Sequence, residues 1–504
     1  MKLSLRRADG SPTRTACVAA GLVSGLLVGV AFPRVDAGPL VLVALVPLLW
    51  VWRRASPGRA ALAGFVFGIA SFGIVLEWSR YFGAVAIVPL VLGVAAFVAG
   101  AGAVVGLFAR RGVRSPWLVA AVWVVFEGMR GRMPFGGLPW GELGVALHDQ
   151  PWARALASVG GVALVSFVIV ACNGLLLDLI LAGRARRSRA ATLATAGLVA
   201  LVLVSAVVDI TRFRPEVTGT VRFALLQGND QNRNLTPDEI ASDYLFRRHL
   251  ELAERLEGPY DLIVFPESSL ERDPTTNPDV RQRLVDVARE HDATVLANAR
   301  VPTGDGAGLF NANVAYSSDG KLQGVYAKQH LVPFGEYVPL RDQLSFIGEL
   351  EQIPYDYTPG DRRVMFEAGG KPFASAICFE SAFGPLIRDD VRDGAELLVV
   401  STNNRSYRRS GLAAQHLALS QMRAAETGRP VLHASISGIS GVVDPGGDVH
   451  DTSDLFENKV TTGTVETTTG ETLFVRFGDW VLLASGIALV LMAVVAVRRP
   501  RSAS

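Results

Sequence analysis

Only three of the 504 residues are cysteine, and only five are lysine. Three thiols cannot make a disulfide framework, and no Cys-x-x-Cys or His/Cys cluster offers the spacing of a zinc site. The lysines are Lys2, Lys321, Lys328, Lys371 and Lys459; the rest of the 49 basic residues are arginine, so each lysine holds its place against a strong bias. Charge is also sparse, at 19%, and 49 basic against 47 acidic residues leave a formal net charge of +2. Neither intrinsic disorder nor a basic nucleic-acid-binding domain fits that balance. What the chain has in plenty is apolar surface: half its residues are hydrophobic, and its mean hydropathy is +0.31. The length suits two or three domains.

The apolar residues are unevenly placed. They crowd residues 15–208 and 480–497, and an ordinary mixed-charge stretch lies between them at 211–475. A membrane-crossing helix needs roughly 20 apolar residues. Runs near 15–32, 37–52, 60–77, 83–108, 115–130, 157–182, 190–208 and 478–497 give a count of eight. Arginines cluster at Arg6/Arg7, Arg53/Arg54/Arg59, Arg110/Arg111/Arg114, Arg184/Arg186/Arg187/Arg189 and Arg498/Arg499/Arg501. These clusters fall in every second connection, as the positive-inside rule asks of cytoplasmic loops; Arg130 and Arg132 run against it. The pattern predicts a multi-pass protein of the cell membrane with both termini cytoplasmic. About seven helices fill 1–210, an extracytoplasmic α/β domain fills 220–470, and an eighth helix fills 478–497. The first run could instead be a signal peptide, but its removal would break the alternation. Gly21, Gly25 and Gly29 form a small-xxx-small face for helix packing. Gly100, Gly102 and Gly106 lie inside an apolar helix with no preceding strand, which is packing again and not a nucleotide loop.

Between the apolar regions, strand-like runs at 223–227, 262–265, 294–297, 313–317, 373–378, 396–401 and 431–435 alternate with helical patterns at 238–256, 279–290, 383–390 and 412–426. That alternation is the mark of an α/β domain with a largely buried sheet. Three segments bring polar groups to the ends of apolar strands, where such folds gather their active sites. Asp-Leu-Ile-Val-Phe-Pro-Glu ends at Glu267, whose carboxyl a buried setting would push toward the range of a general base; a surface acid capping the next segment fits that stretch equally well. Lys328, in Tyr-Ala-Lys-Gln-His-Leu-Val-Pro-Phe-Gly-Glu-Tyr-Val-Pro, offers a compact ammonium for a developing oxyanion. Cys378 ends a strand ahead of a helical pattern, a place that suits a nucleophile whose thiol pKa the helix dipole lowers. Cys17 and Cys172 lie within apolar helices and read as inert packing residues.

Glu267, Lys328 and Cys378, in that order and in those contexts, resemble the Glu-Lys-Cys triad of the nitrilase superfamily. His-Leu-Val-Pro-Phe-Gly-Glu-Tyr-Val-Pro, Ile-Cys-Phe-Glu, Gly-Leu-Pro-Trp-Gly-Glu-Leu-Gly at 137–144 and Arg-x-x-Glu-x-x-Arg-Pro from Arg423 to Pro430 are similar to signatures of its membrane-embedded branch, the apolipoprotein N-acyltransferases. The resemblance implies an α-β-β-α sandwich over roughly 220–470. It further implies acyl transfer from a membrane phospholipid, through a thioester on Cys378, to the N-terminal amine of an apolipoprotein's diacylglyceryl-cysteine, as the last step of bacterial lipoprotein maturation. Glu267 is then the base, Lys328 the oxyanion partner, and Glu336, Glu380 and Phe379 the supporting groups. No metal or diffusible cofactor is implied, nucleic acid is not a partner, and a monomer is expected. The chain departs from the pattern in three places: Tyr407 is the only aromatic of Asn403-Asn404-Arg405-Ser406-Tyr407-Arg408, no tryptophan follows Gln227, and Phe379 stands where tyrosine is common. All three leave the triad intact. A membrane-anchored amidase that hydrolyses C–N bonds is the alternative the same triad allows.

Overall fold

The structure, a computed structural model, describes residues 10–182, 189–230, 236–353 and 355–498. Arg6, Arg7, Arg184, Arg186, Arg187, Arg499 and Arg501 of the basic clusters lie outside the described residues. The chain divides into two compact units, Met1–Arg212 with Phe477–Ser504, and Phe213–Arg476.

The first unit is helical. Its apolar segments are Arg14–Gly29, Gly38–Trp52, Pro57–Val75, Ala84–Arg110, Pro116–Arg130, Pro151–Ala182, Arg189–Ile210 and Trp480–Arg498, one for each apolar run of the sequence. Four of them, Pro57–Val75, Ala84–Arg110, Pro151–Ala182 and Ala191–Ile210, are long and apolar enough to cross a membrane. The others are shorter, and Gly38–Trp52 is broken into three pieces. Pro151–Ala182 begins earlier than its apolar run and contains a break at Gly160 and Gly161, the latter at φ 69°. The glycine stripe of the first helix packs as its spacing predicts. A Cβ at Gly21 would stand 2.4 Å from the Ala63 carbonyl oxygen, and one at Gly25 would stand 2.6 Å from that of Phe67, so the backbones of two helices approach where no side chain fits. Gly102 and Gly106 do the same against Ala60 and Pro57.

The second unit is built on twelve strands among the described residues: β1 Glu216–Gln227, β2 Leu262–Val264, β3 Thr294–Pro302, β4 Leu309–Tyr316, β5 Leu322–Ala327, β6 Met365–Ala368, β7 Lys371–Ile377, β8 Leu397–Thr402, β9 Val431–Ser435, β10 Gly441–Val443, β11 Val449–His450 and β12 Lys459–Thr469. They form two six-stranded sheets, in the orders β12-β1-β2-β3-β4-β5 and β11-β10-β9-β8-β7-β6. The parallel pairs lie at the centre of each sheet, β1-β2-β3 in one and β7-β8-β9 in the other, with antiparallel strands outside them.

Strand alternation sorts the side chains into layers. Phe223, Leu225, Leu262, Val264 and Leu296 of one sheet share a buried cluster with Phe373, Ile377, Leu397, Val399 and Leu432 of the other, so the two sheets pack face to face. On the opposite face of the first sheet, Ala224, Ile263, Phe265 and Val295 meet Phe246 and Leu252 of Tyr244–Ala253 and Val280 and Leu284 of Pro278–Glu290. On the outer face of the second, Ala374, Ala376, Leu398 and Val400 meet Ile387 and Val391 of Gly384–Arg392 and Leu417 and Ala424 of Leu412–Thr427. The result is an α-β-β-α sandwich.

Two local readings need correction. The expected helix over 238–256 is two helices, Pro237–Ala241 and Tyr244–Ala253, because Asp243 adopts the left-handed conformation at φ 51° and holds Arg272 with its carboxylate. The strand expected at 313–317 starts earlier, at Leu309, because Asn311 is a buried strand residue in spite of its polarity.

Substituting Gly25 with leucine drives a side chain into the Phe67 backbone. The expected cost is about 1–3 kcal/mol of overpacking, read as a lower apparent melting temperature of the purified protein in detergent. An unchanged melting temperature would contradict this packing.

Candidate active site

The three residues chosen from strand ends come together. Glu267 lies in the turn after β2, where the neighbouring Ser268 is left-handed at φ 63° and its N–H donates to Asn298 Oδ1 at 2.8 Å. Lys328 directly follows β5; its N–H donates to the Asn311 carbonyl, and its own carbonyl accepts the Gly360 N–H, each at 2.8 Å. Cys378 directly follows β7 at φ 53° and opens a 3-10 turn, Cys378–Ala382. A non-glycine residue rarely takes that conformation, and here it turns the chain sharply at the residue that carries the sulfur.

Lys328 organises the charges. Its Nζ lies 2.9 Å from Glu336 Oε2 and 3.6 Å from Glu267 Oε1, and its side chain is only 1% exposed. Asn311 ties the two acids together: its Nδ2 donates to Glu267 Oε1 at 2.8 Å and to Glu336 Oε1 at 2.7 Å. The Asn403 N–H donates to Glu267 Oε2 at 2.7 Å, and the Val332 N–H to Glu336 Oε2 at 2.8 Å. Behind Asn311, Asn298 Nδ2 donates to the Oδ1 atoms of Asn311 at 2.8 Å and Asn313 at 3.0 Å. Each buried acceptor thus has a donor, as a low-dielectric site demands.

The protonation states follow from this geometry. Burial raises the Glu267 carboxyl above the usual range, with Lys328 opposing and Glu336 adding to the shift. Burial also disfavours the Lys328 ammonium, but Glu336 and Glu267 overcome it and hold the pKa well above that of ordinary lysine. The Cys378 thiol is pushed up to about 12, first by burial and then by the Glu267 charge, with Lys328 pulling the other way. This reverses the expectation of a thiol lowered by a helix dipole. The turn it opens has five residues, the helix Gly384–Arg392 starts six positions later, and desolvation outweighs any dipole at that distance.

Glu380 and Phe379 shape the turn. Glu380 Oε1 accepts the Tyr326 hydroxyl at 2.9 Å and the N–H groups of Gln329 at 2.7 Å and His330 at 3.2 Å, while its Oε2 accepts the Ile377 N–H at 2.8 Å. One carboxylate therefore binds the segment after Lys328 to the strand before Cys378. Burial pushes Glu380 up to about 7, against the pull of the Ile377 N–H, of Lys328 and of the other donors. Phe379 packs edge-on to Phe383 at 5.0 Å, and the His330 ring stacks flat on Phe383 at 3.9 Å. Arg423 supports the far end of the turn: it donates to the Ala382 carbonyl at 3.1 Å and lies 2.8 Å from Glu426, both side chains being buried.

The Apolipoprotein N-acyltransferase N-terminal domain matches residues 24–175, and Carbon-nitrogen hydrolase matches residues 224–472. An apolipoprotein N-acyltransferase of Methylococcus capsulatus is 31% identical over 503 residues, covering 96% of each chain. That of Geobacter metallireducens is 30% identical over 97% of each chain, and that of Nitrosomonas europaea is 32% identical over 90% of this chain and 92% of its own. This chain belongs to the apolipoprotein N-acyltransferase family. Glu267, Lys328, Glu336, Cys378 and Glu380 all lie in the segment matched to Carbon-nitrogen hydrolase, and the 137–144 signature lies in the segment matched to the N-terminal domain.

Several site residues escaped the sequence reading. Asn311 and Asn313 share one face of β4, and both are buried, Asn313 completely. Two asparagines at i and i+2 within an apolar strand were the available signal, since a buried amide needs a partner of matching geometry. Asn403 acts through its backbone, which no side-chain pattern could reveal. Tyr407, the lone aromatic of its loop, is half-buried, and its phenol is raised above the usual tyrosine range first by desolvation, then by Cys378, with Glu267 and Glu336 adding and Lys328 opposing.

A thiol near 12 predicts that iodoacetamide labelling of the Cys378 peptide climbs steadily with pH beyond pH 10. A plateau near neutral pH would reveal a preformed thiolate and contradict this electrostatic reading.

Proposed function

We propose that this chain is an acyltransferase that moves an acyl chain from a membrane phospholipid to the N-terminal α-amine of a diacylglyceryl-cysteine, completing lipoprotein maturation. The observation that carries this reading is the buried Glu267–Lys328–Glu336 cluster facing Cys378, in a chain alike to apolipoprotein N-acyltransferases over nearly its whole length.

The chemistry runs in two steps. Glu267 accepts the Cys378 proton, and the sulfur attacks the ester carbonyl of the donor. The tetrahedral oxyanion is held by the Lys328 ammonium and a backbone N–H after Cys378. When the C–O bond breaks, Glu267 returns the proton to the departing alkoxide, and lysophospholipid leaves an acyl thioester on Cys378. The acceptor amine then attacks that thioester, Glu267 takes the amine proton, and collapse of the second tetrahedral adduct forms the amide and releases the Cys378 thiolate, which takes the proton back. Because the resting thiol is neutral, proton transfer to Glu267 accompanies attack. Glu336 fixes Lys328, and Glu380 fixes the nucleophile turn; both are positioning residues. Phe379 lends its ring to the packing of that turn.

The membrane arrangement belongs to the same reading. Eight helices cross the membrane, with both termini cytoplasmic and the 220–470 domain between helices seven and eight extracytoplasmic, and the protein acts as a monomer. Four helices of spanning length and the arginine clusters at every second connection support it.

Intact-mass measurement after exposure to phospholipid tests the first step. The wild type gains a hydroxylamine-sensitive acyl adduct, and Cys378→Ala gains none; an adduct on the variant removes Cys378 as nucleophile. Lys328→Arg keeps the charge but not the compact ammonium, and its acylation rate falls by about 10²–10³-fold, the scale of one lost oxyanion donor. Turnover near the wild-type rate would refute that role. Given a fluorescent phospholipid and a diacylated lipopeptide, the protein transfers the chain to the peptide amine; amide cleavage without transfer would favour the amidase instead.

A further inference from the structure

Arg130 and Arg132 run against the alternation of arginine clusters, and the structure uses them differently. Arg130 is buried and donates to the Leu138 and Trp140 carbonyls at 2.7 and 2.6 Å, so it belongs to the packing. Arg132 is half exposed and lies just past the end of Pro116–Arg130. Its Nη1 donates to the Gly128 carbonyl at 3.0 Å, and its Nη2 pairs with Asp479, the residue before Trp480–Arg498. A guanidinium has five N–H donors, so the pair still presents an open cation beside a partly exposed carboxylate.

Alongside this pair the two helices leave an open groove with room for about 600 Å³. Val125, Met129 and Met133 line one side, and Leu482, Gly486 and Val490 the other. Of the described lining residues, Arg132 alone is polar. The helices touch at one point, where a Cβ on Gly128 would stand 2.7 Å from Leu482. One turn further, a Cβ on Gly486 would meet nothing within 4 Å. Positions i and i+4 share a helix face, so the wall closed at Leu482 opens at Gly486. At 1.5 Å per residue, 482–491 spans roughly 14 Å, close to one leaflet of a hydrocarbon core about 30 Å thick.

We propose that this groove binds one phospholipid with an amine headgroup. Its phosphodiester lies on the Arg132 guanidinium, its ammonium on the Asp479 carboxylate, and one acyl chain against Gly486. The site rests on the proposed crossing of the membrane by these two helices, and all its residues belong to the first unit. Arginine holds phosphate oxygens through paired N–H donors, and basic pockets between membrane helices take lipid headgroups. Asp479 adds an acceptor for the ammonium, from which a purely anionic headgroup gains nothing. A second copy's helix would have to bring both charges to match the pair, whereas this headgroup carries them together. Another groove continues past Val490 toward Arg111, but that guanidinium donates to the Ala496 carbonyl at 2.7 Å, and no acid is among its described lining residues. Trp480, next to Asp479, donates its indole N–H to the Val159 carbonyl at 2.9 Å, and such rings mark the edge of the hydrocarbon. The break in the arginine pattern thus has a reason: Arg132 is kept at that face for a phosphate.

Photocrosslinking of the full-length protein in lipid bilayers tests the site, using phosphatidylethanolamine with a diazirine on one acyl chain. Crosslinks map to 482–491 and 125–133. Gly486→Leu fills the groove and loses them, at an unchanged melting temperature because its side chain enters open space. Arg132→Gln weakens competition by unlabelled phosphatidylethanolamine and phosphatidylglycerol alike, about fivefold, the scale of one basic side chain near a lipid surface. Asp479→Asn weakens phosphatidylethanolamine only. Undiminished crosslinking in Gly486→Leu overturns the site, as does an equal response of both lipids to Asp479→Asn. Crosslinks between two copies through these peptides would assign the groove to a dimer and overturn it too. Cys378→Ala crosslinks like the wild type, so a failure of acyl transfer leaves this result standing. Release of the protein from membranes by alkaline carbonate would instead overturn the membrane reading, and the site with it.

Discussion

The site depends on one buried ammonium shared by two carboxylates. Taking a lysine head out of water costs several kcal/mol even after relaxation, and Lys328 is offset by Glu336 at 2.9 Å and Glu267 at 3.6 Å. Glu267 is buried and Glu336 half-buried, and both lie against the one ammonium. Asn311 makes the sharing possible by bonding both acids through one amide nitrogen. Burial first, and then the Glu267 charge, explains why the thiol rests neutral: a sulfur anion there is disfavoured until an electrophile or a proton acceptor draws on it.

The fold delivers these groups by placing strand ends together. Glu267, Lys328 and Cys378 follow β2, β5 and β7, and the two sheets that carry those strands pack face to face through a continuous apolar core. A rigid scaffold of this kind fixes reacting groups better than loops could. Six further bonds lock the turns that leave the strands: Ser268 to Asn298, four donors to Glu380, and Arg423 to the Ala382 carbonyl.

The central strands and the acid, amine and thiol could be read from the sequence because apolar runs ending in a lone Glu, a rare Lys and a lone Cys are local patterns. The layers of the sandwich came only through resemblance, since alternation within one strand does not say which sheet it joins. β12, with its many threonines, and β5 were missed because a half-exposed edge strand lacks an apolar run. The Asn298–Asn311–Asn313 network was missed for a different reason: its members lie on separate strands, and only tertiary contact reveals that their amides meet. The sign of the thiol shift was misread because helix position is local, whereas burial is a property of the whole fold.

The shared ammonium can be tested directly by a double-mutant cycle on the rate of thioester formation, using Lys328→Met, Glu336→Gln and the pair together. If the two act as one unit, the pair loses little more than Lys328→Met alone, and the coupling energy exceeds about 1 kcal/mol. Independent, additive losses would show that Glu336 does not work through Lys328, and the account of this site would fall.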